Sequence, residues 1–170
     1  MDYLHLQNGS DIRGVALAGV EHQPVTLTEQ ASCDIGRGFA LWLQERLGAG
    51  RPVRVSVGRD SRLSGEALAG WICSAMAREG LLVTDFGMAS TPAMFMSTVT
   101  EGYCFDAAVM ITASHLPFHR NGFKFFTRDG GLEKADITSI LTLAASDRHT
   151  GLPAGTVEAG TFMDAYAGLL

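Results

Sequence analysis

The sequence predicts an α/β protein with a largely parallel sheet. Short apolar runs alternate along the chain with longer segments of helical periodicity, which is the pattern of βαβ units. The most apolar short run, Phe105–Thr112, has the continuous hydrophobicity of a strand covered on both faces, so we expect it near the centre of the sheet. A chain of 170 residues is long enough for about one domain.

Helices are expected where apolar residues recur on one face and a capping residue or a breaker marks the end. Thr28 can cap a first helix that runs to about Leu47, after which Gly48 and Gly50 end it. Ser64 can cap a second helix that ends near residue 79. Later helices are predicted from Thr91-Pro92 onward, over Lys134–Ala145 and within residues 161–170.

The remaining strands are expected where β-branched and apolar residues form short runs between turn residues. They are Val15–Ala18, Pro52–Val57, Leu81–Val83 and Gly122–Thr127. Residues 113–121 have the composition of a polar loop, and residues 146–160 that of a glycine-rich linker. We therefore expect one domain over residues 1–160, followed by the start of a helix at residues 161–170.

The composition indicates which kinds of partner and which cellular compartment to expect. The chain carries 13 basic and 18 acidic residues, a net charge of −5, which argues against a nucleic-acid-binding surface. Its apolar runs are too short to cross a membrane, and its first residues lack the basic and apolar segments of a secretory signal. The three cysteines are widely spaced, so we expect buried free thiols without a disulfide or zinc site, and a cytoplasmic location.

The loop after the predicted central strand holds the residue types of a phosphoryl-transfer site. Residues 112–124 include a serine, two histidines, an arginine, an asparagine and a lysine, and loops at the carboxyl ends of parallel strands are where ligands bind. The Ser114 hydroxyl can carry a phosphoryl group if cations neutralise the added charge. Lys124 can donate or accept a proton at the same place. The alternative is a plain polar connection.

Two further polar segments are candidates for the same site. Arg13 can clamp an anion through its planar guanidinium, and residues 58–65 join a strand to a helix N-terminus, which favours anions. The alternative for residues 58–65 is a capped turn with a local arginine–aspartate pair. His115 and His119 lie on either side of Pro117, so we do not expect them to share a metal ion.

Three motifs in these segments occur in a fixed order and together cover about residues 9–127. They are Asp11-Ile12-Arg13-Gly14, Gly58-Arg59-Asp60-Ser61-Arg62-Leu63-Ser64-Gly65 and Thr112-Ala113-Ser114-His115-x-Pro117-x-x-x-Asn121-Gly122-x-Lys124. All three resemble motifs of the α-D-phosphohexomutases, the phosphoglucomutase/phosphomannomutase superfamily. The resemblance implies the first of four domains in that family, a three-layer α/β/α sandwich with a mostly parallel mixed sheet.

The resemblance also implies a role for individual residues. Ser114 would be the phosphorylated residue that gives a phosphoryl group to a hexose phosphate and takes one back. Phosphate would thereby move between C1 and C6 through a sugar 1,6-bisphosphate. His115 and Lys124 would support proton transfer, while Arg13 and Asn121 would bind substrate.

Magnesium and further domains are implied in the same way. Ser114 would provide one Mg²⁺ ligand through its phosphate, and glucose or mannose 1,6-bisphosphate would act as activator. The acidic metal loop of the family's second domain is absent from this sequence, as are the sugar-binding and phosphate-binding loops of the third and fourth. We therefore expect missing domains II–IV of the same polypeptide as partners, hexose phosphate as substrate, and negligible turnover from this chain alone.

Three positions in the loop region refine these expectations. Leu116 stands where most members of the family have Asn, which removes a hydrogen-bonding side chain and predicts anchoring through packing with Phe118. Thr112 in place of Ser favours the hexose-phosphate mutases over the phosphoglucosamine branch. Gly122 is expected to let the backbone turn tightly so that Lys124 returns towards the serine.

Two other functions are open at this point. A stand-alone, non-catalytic module that binds sugar phosphates or other anions, or that has a regulatory role, would keep the fold and the loop without turnover. A serine hydrolase would use Ser114 as its nucleophile, but adjacent side chains such as Ser114 and His115 rarely reach the required geometry, and the strained serine elbow is missing. The sequence does not decide between mannose and glucose phosphates.

Overall fold

The computed structural model describes residues 1–48 and 50–170. A short 3₁₀ helix at Leu4–Leu6 precedes the first strand. The helices are α1 (Glu29–Leu47), α2 (Gly65–Arg78), α3 (Thr91–Val99), α4 (Lys134–Ala145) and α5 (Met163–Ala167). The strands are β1 (Gln7–Asn8), β2 (Asp11–Val15), β3 (Arg54–Arg59), β4 (Leu82–Met88), β5 (Ala107–Ile111), β6 (Arg120–Thr127), β7 (Gly130–Gly131) and β8 (Thr156–Ala159).

Within the described residues the strands form one mixed sheet. Its order is β1-β2-β6-β5-β3-β4-β8, with β7 paired to β6. The neighbours from β5 to β8 are parallel, whereas β6 is antiparallel to both β5 and β2. Every residue of β5 is buried, which confirms the prediction that this strand is central.

Helices cover both faces of the sheet, because β5 directs alternate side chains into two separate cores. Ala107 and Val109 belong to the larger core, to which α1, α2 and α4 contribute. Ala108 and Met110 belong to a smaller core with Met94 of α3. The fold is therefore the expected three-layer α/β/α sandwich.

Local capping accounts for the helix limits that the sequence predicts correctly. The Thr28 hydroxyl accepts a hydrogen bond from the Ala31 N–H at 3.1 Å, and α1 ends at Leu47 as expected. Gly48 follows with a φ of 78°, which glycine adopts without strain. The limits of α4 also agree with the prediction. In the part of the chain that the structure describes, no helix has both the length and the hydrophobicity to cross a bilayer.

The first strand of the motif region lies earlier than predicted. We expected Val15–Ala18, but β2 spans Asp11–Val15 because it pairs with β6 from Ile12 opposite Phe123 to Val15 opposite Arg120. Ile12 is fully buried in this pairing. Arg13 therefore lies on a strand, with its position fixed by the sheet.

The predicted linker over residues 146–160 contains a strand. Thr156–Ala159 forms β8, which pairs in parallel with β4 from Leu82 to Asp85 at the edge of the sheet. All four residues of β8 are exposed, so no alternation of buried and exposed positions marks this strand in the sequence.

The last residues fold against the domain. The helix predicted within residues 161–170 is α5, and the Phe162 side chain before it is buried. Its ring centroid lies 4.7 Å from that of Tyr103 and 5.6 Å from that of Phe86. The division into a domain over residues 1–160 and a connecting helix stays a prediction.

The cysteines differ in burial, contrary to the expectation of three buried thiols. Cys73 is buried, Cys33 is half-buried and Cys104 is exposed, and all three are free thiols in the described residues. Burial raises the pKa of the Cys73 thiol to about 12. Cys73 therefore behaves as a small apolar side chain of the larger core.

Asp106 makes the stability of the fold depend on pH. Its side chain is 3% exposed, and it accepts two hydrogen bonds from Arg51, at 2.8 and 3.1 Å, and one from the Arg54 N–H at 2.9 Å. Burial raises the pKa of Asp106, but these donors and the charges of Arg51 and Arg128 outweigh burial and hold the pKa below its ordinary value. The stabilisation is therefore present above the unfolded pKa and is lost as pH falls through the folded pKa.

We expect the thermal midpoint to be constant near neutral pH and to fall once the pH drops below about 4, the unfolded pKa of an aspartate. Asp106→Asn should flatten this decline, although the lowered pKa of Glu79 contributes a residual slope of the same sign. Thermal melts from about pH 7 to about pH 2 measure the effect. The exposed Asp147, changed to Asn, is the matched control. Identical slopes for Asp106→Asn and wild type would contradict the assignment.

Candidate functional site

The predicted functional loop lies where the carboxyl ends of the neighbouring strands β3 and β5 meet, and we call this end of the sheet the site edge. The Ser114 loop, defined here as residues 113–119, follows β5 and leads into β6. Asp60 lies beside it at the end of β3, and its N–H donates to the Ile111 carbonyl at 3.1 Å. The fold therefore brings residues 58–65 and the Ser114 loop together, at the kind of edge where parallel sheets bind ligands.

Ser114 is exposed and has a left-handed backbone conformation, with a φ of 55°. Such a conformation costs a residue other than glycine about 1–3 kcal/mol and is concentrated at functional sites. Its N–H donates to the Thr112 hydroxyl at 3.0 Å. Its Oγ lies 3.3 Å from Nδ1 of His115, which is also exposed. The loop thus presents a hydroxyl with an imidazole next to it.

Asp60 joins the base of the Ser114 loop to the turn after β3. The Thr112 hydroxyl donates to Oδ2 of Asp60 at 2.7 Å, and Oδ1 accepts from the Arg62 N–H at 3.1 Å. The Arg62 Nε lies 3.5 Å from Oδ2. The local arginine–aspartate pair considered from the sequence is therefore present, and it also holds Thr112.

Arg62 is a residue of the site that the sequence analysis did not single out. Its guanidinium donates hydrogen bonds to four backbone carbonyls of the loop region, which we call the Arg62 clamp. The acceptors are the carbonyls of Ser114, Leu116 and Pro117, each at 2.8 Å, and that of Arg120 at 3.1 Å. The glycine-arginine-aspartate motif was the available signal, but it holds two arginines and does not say which one reaches a loop about fifty residues away.

Arg13 and Lys124 are brought together by a shared carboxylate. Asp11 accepts a hydrogen bond from Arg13 Nη2 at 3.0 Å and one from Lys124 Nζ at 3.0 Å. Arg13 Nη1 also donates to the Thr112 carbonyl, two residues before the serine. The pairing of β2 with β6 places the two cations on adjacent strands, so Arg13, Lys124 and Asp11 together contribute two positive charges and one negative charge to the site.

Asn121 is placed differently from a substrate-binding side chain. It is fully buried, its Nδ2 donates to the Ser64 hydroxyl at 2.8 Å, and its Oδ1 accepts from the Gly122 N–H at 2.9 Å. Ser64 precedes α2 but makes no side-chain capping bond to that helix, which corrects the predicted cap. In this conformation Asn121 anchors the return of the loop to the start of α2, and its contact with substrate stays a prediction.

Gly122 is required for a close approach of two strands and not for a turn. It lies within β6, opposite Arg13 of β2, and it is not among the residues with positive φ. A Cβ at this position would overlap the carbonyl oxygen of Ile12. The absence of a side chain therefore lets β6 approach β2, which sets Lys124 beside Asp11.

The two loop histidines lie in different environments. His115 is exposed, whereas His119 is 4% exposed and its Nε2 lies 2.7 Å from Oε1 of Gln23. Across residues 1–48 and 50–170 we find no group of three or more His, Cys, Asp or Glu side chains that could hold a metal ion.

The loop is anchored through its backbone at Leu116. The Leu116 side chain is half-buried, and the carbonyl of Leu116 is held by the Arg62 clamp. Phe118 is 68% exposed, and its ring contacts His119 at a centroid distance of 5.5 Å. Main-chain hydrogen bonds therefore anchor the loop here, and the packing of Leu116 on Phe118 stays a prediction.

Comparison with known proteins relates the whole sandwich to one family. A model described as phosphoglucomutase/phosphomannomutase, alpha/beta/alpha domain I, matches residues 5–150. A phosphoglucomutase of Neisseria gonorrhoeae is 35% identical over 137 residues, which are 81% of this chain and 27% of that protein. A phosphomannomutase of Sinorhizobium fredii is 35% identical over 127 residues, 75% of this chain and 26% of that protein.

The chain is also similar to a mutase of a third name and to a solved structure. A phosphoglucosamine mutase of Corynebacterium glutamicum is 41% identical over 106 residues, 61% of this chain and 23% of that protein. A solved phosphoglucomutase/phosphomannomutase family protein from Burkholderia thailandensis has a TM-score of 0.74 at 27% identity, over 93% of this chain and 33% of that one. The chain thus spans about a quarter of the length of these curated relatives, and their names do not decide the branch predicted from Thr112.

Proposed function

Since the chain belongs to the phosphoglucomutase/phosphomannomutase family, as its α/β/α domain I, we propose that it carries the phosphoserine of a phosphohexomutase. The observation that supports this most directly is Ser114, an exposed hydroxyl in a left-handed conformation at the carboxyl edge of the sheet. The reaction moves phosphate between C1 and C6 of a hexose phosphate, with mannose and glucose phosphates as the first candidates.

In the proposed transfer, the bond between phosphorus and Ser114 Oγ breaks as a sugar hydroxyl oxygen bonds to phosphorus. The proton of that hydroxyl is lost, and Ser114 Oγ gains one, so the step conserves charge and protons. We assign to His115, whose Nδ1 lies 3.3 Å from Oγ, the exchange of a proton with Ser114. Lys124 is assigned proton exchange with the sugar hydroxyl. The sugar 1,6-bisphosphate then reorients and the reverse step returns a phosphoryl group to Ser114.

Charge neutralisation is the other requirement of this chemistry. A phosphoserine carries about −1.5 to −2 charges at neutral pH, and phosphoryl transfer depends mostly on positioning and on neutralising such charge. Arg13 and Lys124 supply positive charge, and each is held in place by its own hydrogen bond to Asp11. Arg13 also reaches the main chain at Thr112, close to the reacting group.

The donor set of this chain fits Mg²⁺ only in part. A phosphate oxygen on Ser114 is the hard oxygen ligand that Mg²⁺ prefers, and we assign it as this chain's ligand. The remaining ligands are assigned to another domain of a longer polypeptide. When bound, the ion neutralises charge on the transferred phosphoryl group.

The exposure of the serine supports a requirement for further domains. Ser114 and His115 are both open to solvent, and a phosphoryl group there needs an enclosed cleft to be kept from water. We therefore assign domains II–IV of the same polypeptide as partners, together with hexose phosphate, and we expect negligible mutase turnover from this chain alone. That the chain spans about a quarter of its relatives' length agrees with this assignment.

Phosphopeptide mapping of the native polypeptide, purified from its source cells, tests the proposal. We expect phosphate on Ser114, with higher occupancy after incubation with glucose or mannose 1,6-bisphosphate. The peptide that contains Ser61, an exposed serine near the same edge, serves as the internal control and should stay unmodified. An unmodified Ser114 under both conditions would contradict the proposal and favour a non-catalytic anion-binding module.

A further inference from the structure

The Arg62 side chain holds the backbone of the Ser114 loop through several hydrogen bonds at once. The Arg62 side chain is 13% exposed, and its guanidinium donates to carbonyls within residues 114–120, a segment that includes the serine itself. An arginine carries five N–H donors in a fixed planar arrangement. Binding several carbonyls at once therefore restricts the path of the loop more than one hydrogen bond would.

A second set of contacts fixes the same guanidinium from its other side. The Arg62 Nε lies 3.5 Å from Asp60 Oδ2, which also accepts a hydrogen bond from the Thr112 hydroxyl at 2.7 Å. Thr112 in turn accepts the Ser114 N–H at 3.0 Å. Ser114 is therefore held at its N–H through Thr112 and at its carbonyl through Arg62, and neither contact uses its hydroxyl.

This arrangement accounts for the strained backbone of Ser114. A serine with a φ of 55° persists in the left-handed region only when surrounding contacts determine it. The contacts of Arg62 and Thr112 with Ser114 fix the backbone from which Ser114 Oγ projects.

We propose that Arg62 is a positioning residue for phosphoryl transfer, which holds the nucleophilic serine in its reactive conformation through three carbonyls of the Ser114 loop and that of Arg120 at the start of β6. The inference rests on the proposed function of Ser114, and it identifies Arg62 as a second residue on which the rate of phosphoryl transfer depends. Lysine cannot replace Arg62, because an ammonium has three donors without the planar spread of a guanidinium. Misplacement of a reacting atom by about 1 Å lowers rates by about 100-fold, so we expect losses of that order in both Arg62→Lys and Arg62→Gln.

The test compares these two variants with Arg54→Gln in the native polypeptide. Arg54 lies at the opposite end of β3 and donates to the Tyr103 carbonyl at 2.7 Å, so its change also removes an arginine–carbonyl bond. The readouts are kcat, KM, the rate at which Ser114 is phosphorylated by the sugar 1,6-bisphosphate, and amide hydrogen exchange. Arg62 variants should lose kcat and phosphorylation rate by about 100-fold with little change in KM.

Hydrogen exchange separates positioning from a general loss of stability. In Arg62→Lys we expect faster exchange at residues 114–120, while the amides of β5 keep their protection and the thermal midpoint stays close to that of Arg54→Gln. If wild-type Ser114 is phosphorylated and Arg62→Lys transfers phosphate at the wild-type rate, the inference is wrong. Uniformly faster exchange across the sheet would also overturn the inference, because it would mean that Arg62 contributes only to the stability of the fold. If wild-type Ser114 takes up no phosphate, the proposed function itself fails.

Discussion

Ser114→Ala is expected to abolish mutase turnover, with a loss on the order of 10⁶-fold, the size found when a nucleophilic serine is removed elsewhere. The reason is chemical, because alanine has no oxygen to carry the phosphoryl group. The fold should be little affected, since Ser114 is exposed and the contacts that hold it use its own N–H and carbonyl. A coupled mutase assay on the native polypeptide, together with a thermal melt, measures both expectations.

The matched control for this change is Ser139→Ala. Ser139 is exposed on α4, and its hydroxyl donates only within that helix, to the Ala135 carbonyl at 3.1 Å. We expect wild-type turnover from this variant and a change in stability within about 0.5 kcal/mol, as for surface substitutions generally. Wild-type turnover from Ser114→Ala would exclude the phosphoserine mechanism, whatever the phosphorylation state of other serines.

Local signals in the sequence predicted the elements whose ends are set by neighbouring residues. Thr28 and Gly48 mark both ends of α1 through contacts within a few residues, and the apolar run of β5 reports burial on both faces. β8 could not be found in this way, because its parallel pairing with β4 joins segments more than seventy residues apart and leaves all its side chains exposed. Its composition is that of a linker.

The same distinction applies to the site. Ser114 and His115 are adjacent in sequence, and the structure finds them within 3.3 Å. Asp11 and Arg62 act on residues about fifty to more than one hundred positions away, so the sequence supplied their motifs but not their partners. At Ser64 a local signal gave a wrong prediction. Serine is a good capping residue, but the Ser64 hydroxyl accepts a hydrogen bond from the side-chain amide of Asn121, which is distant in sequence. Residue type predicts the bonds that a side chain can make, whereas the fold selects among them.

Lys124→Met is expected to lower kcat by about 10²- to 10⁴-fold, the usual contribution of a general acid or base. The change removes the ammonium whose Nζ lies 3.0 Å from Asp11, while Asp11 keeps its ion pair with Arg13 at 3.0 Å. The Lys124 side chain is 28% exposed and that of Asp11 17%, and the pair with Arg13 keeps the Asp11 carboxylate from being left without a partner. The thermal midpoint should therefore change little while turnover falls, which an assay and a melt of the same preparation measure.

Lys124→Arg distinguishes proton transfer from charge neutralisation at this position. Arginine keeps the positive charge and can still pair with Asp11, but its guanidinium does not release a proton in the accessible pH range. If Lys124 exchanges a proton with the sugar hydroxyl, Lys124→Arg should be nearly as slow as Lys124→Met. If the arginine variant keeps wild-type kcat, Lys124 acts only through its charge, and the acid–base role must pass to another group. His115 would then be the first to examine, since its ring already lies beside the Ser114 oxygen.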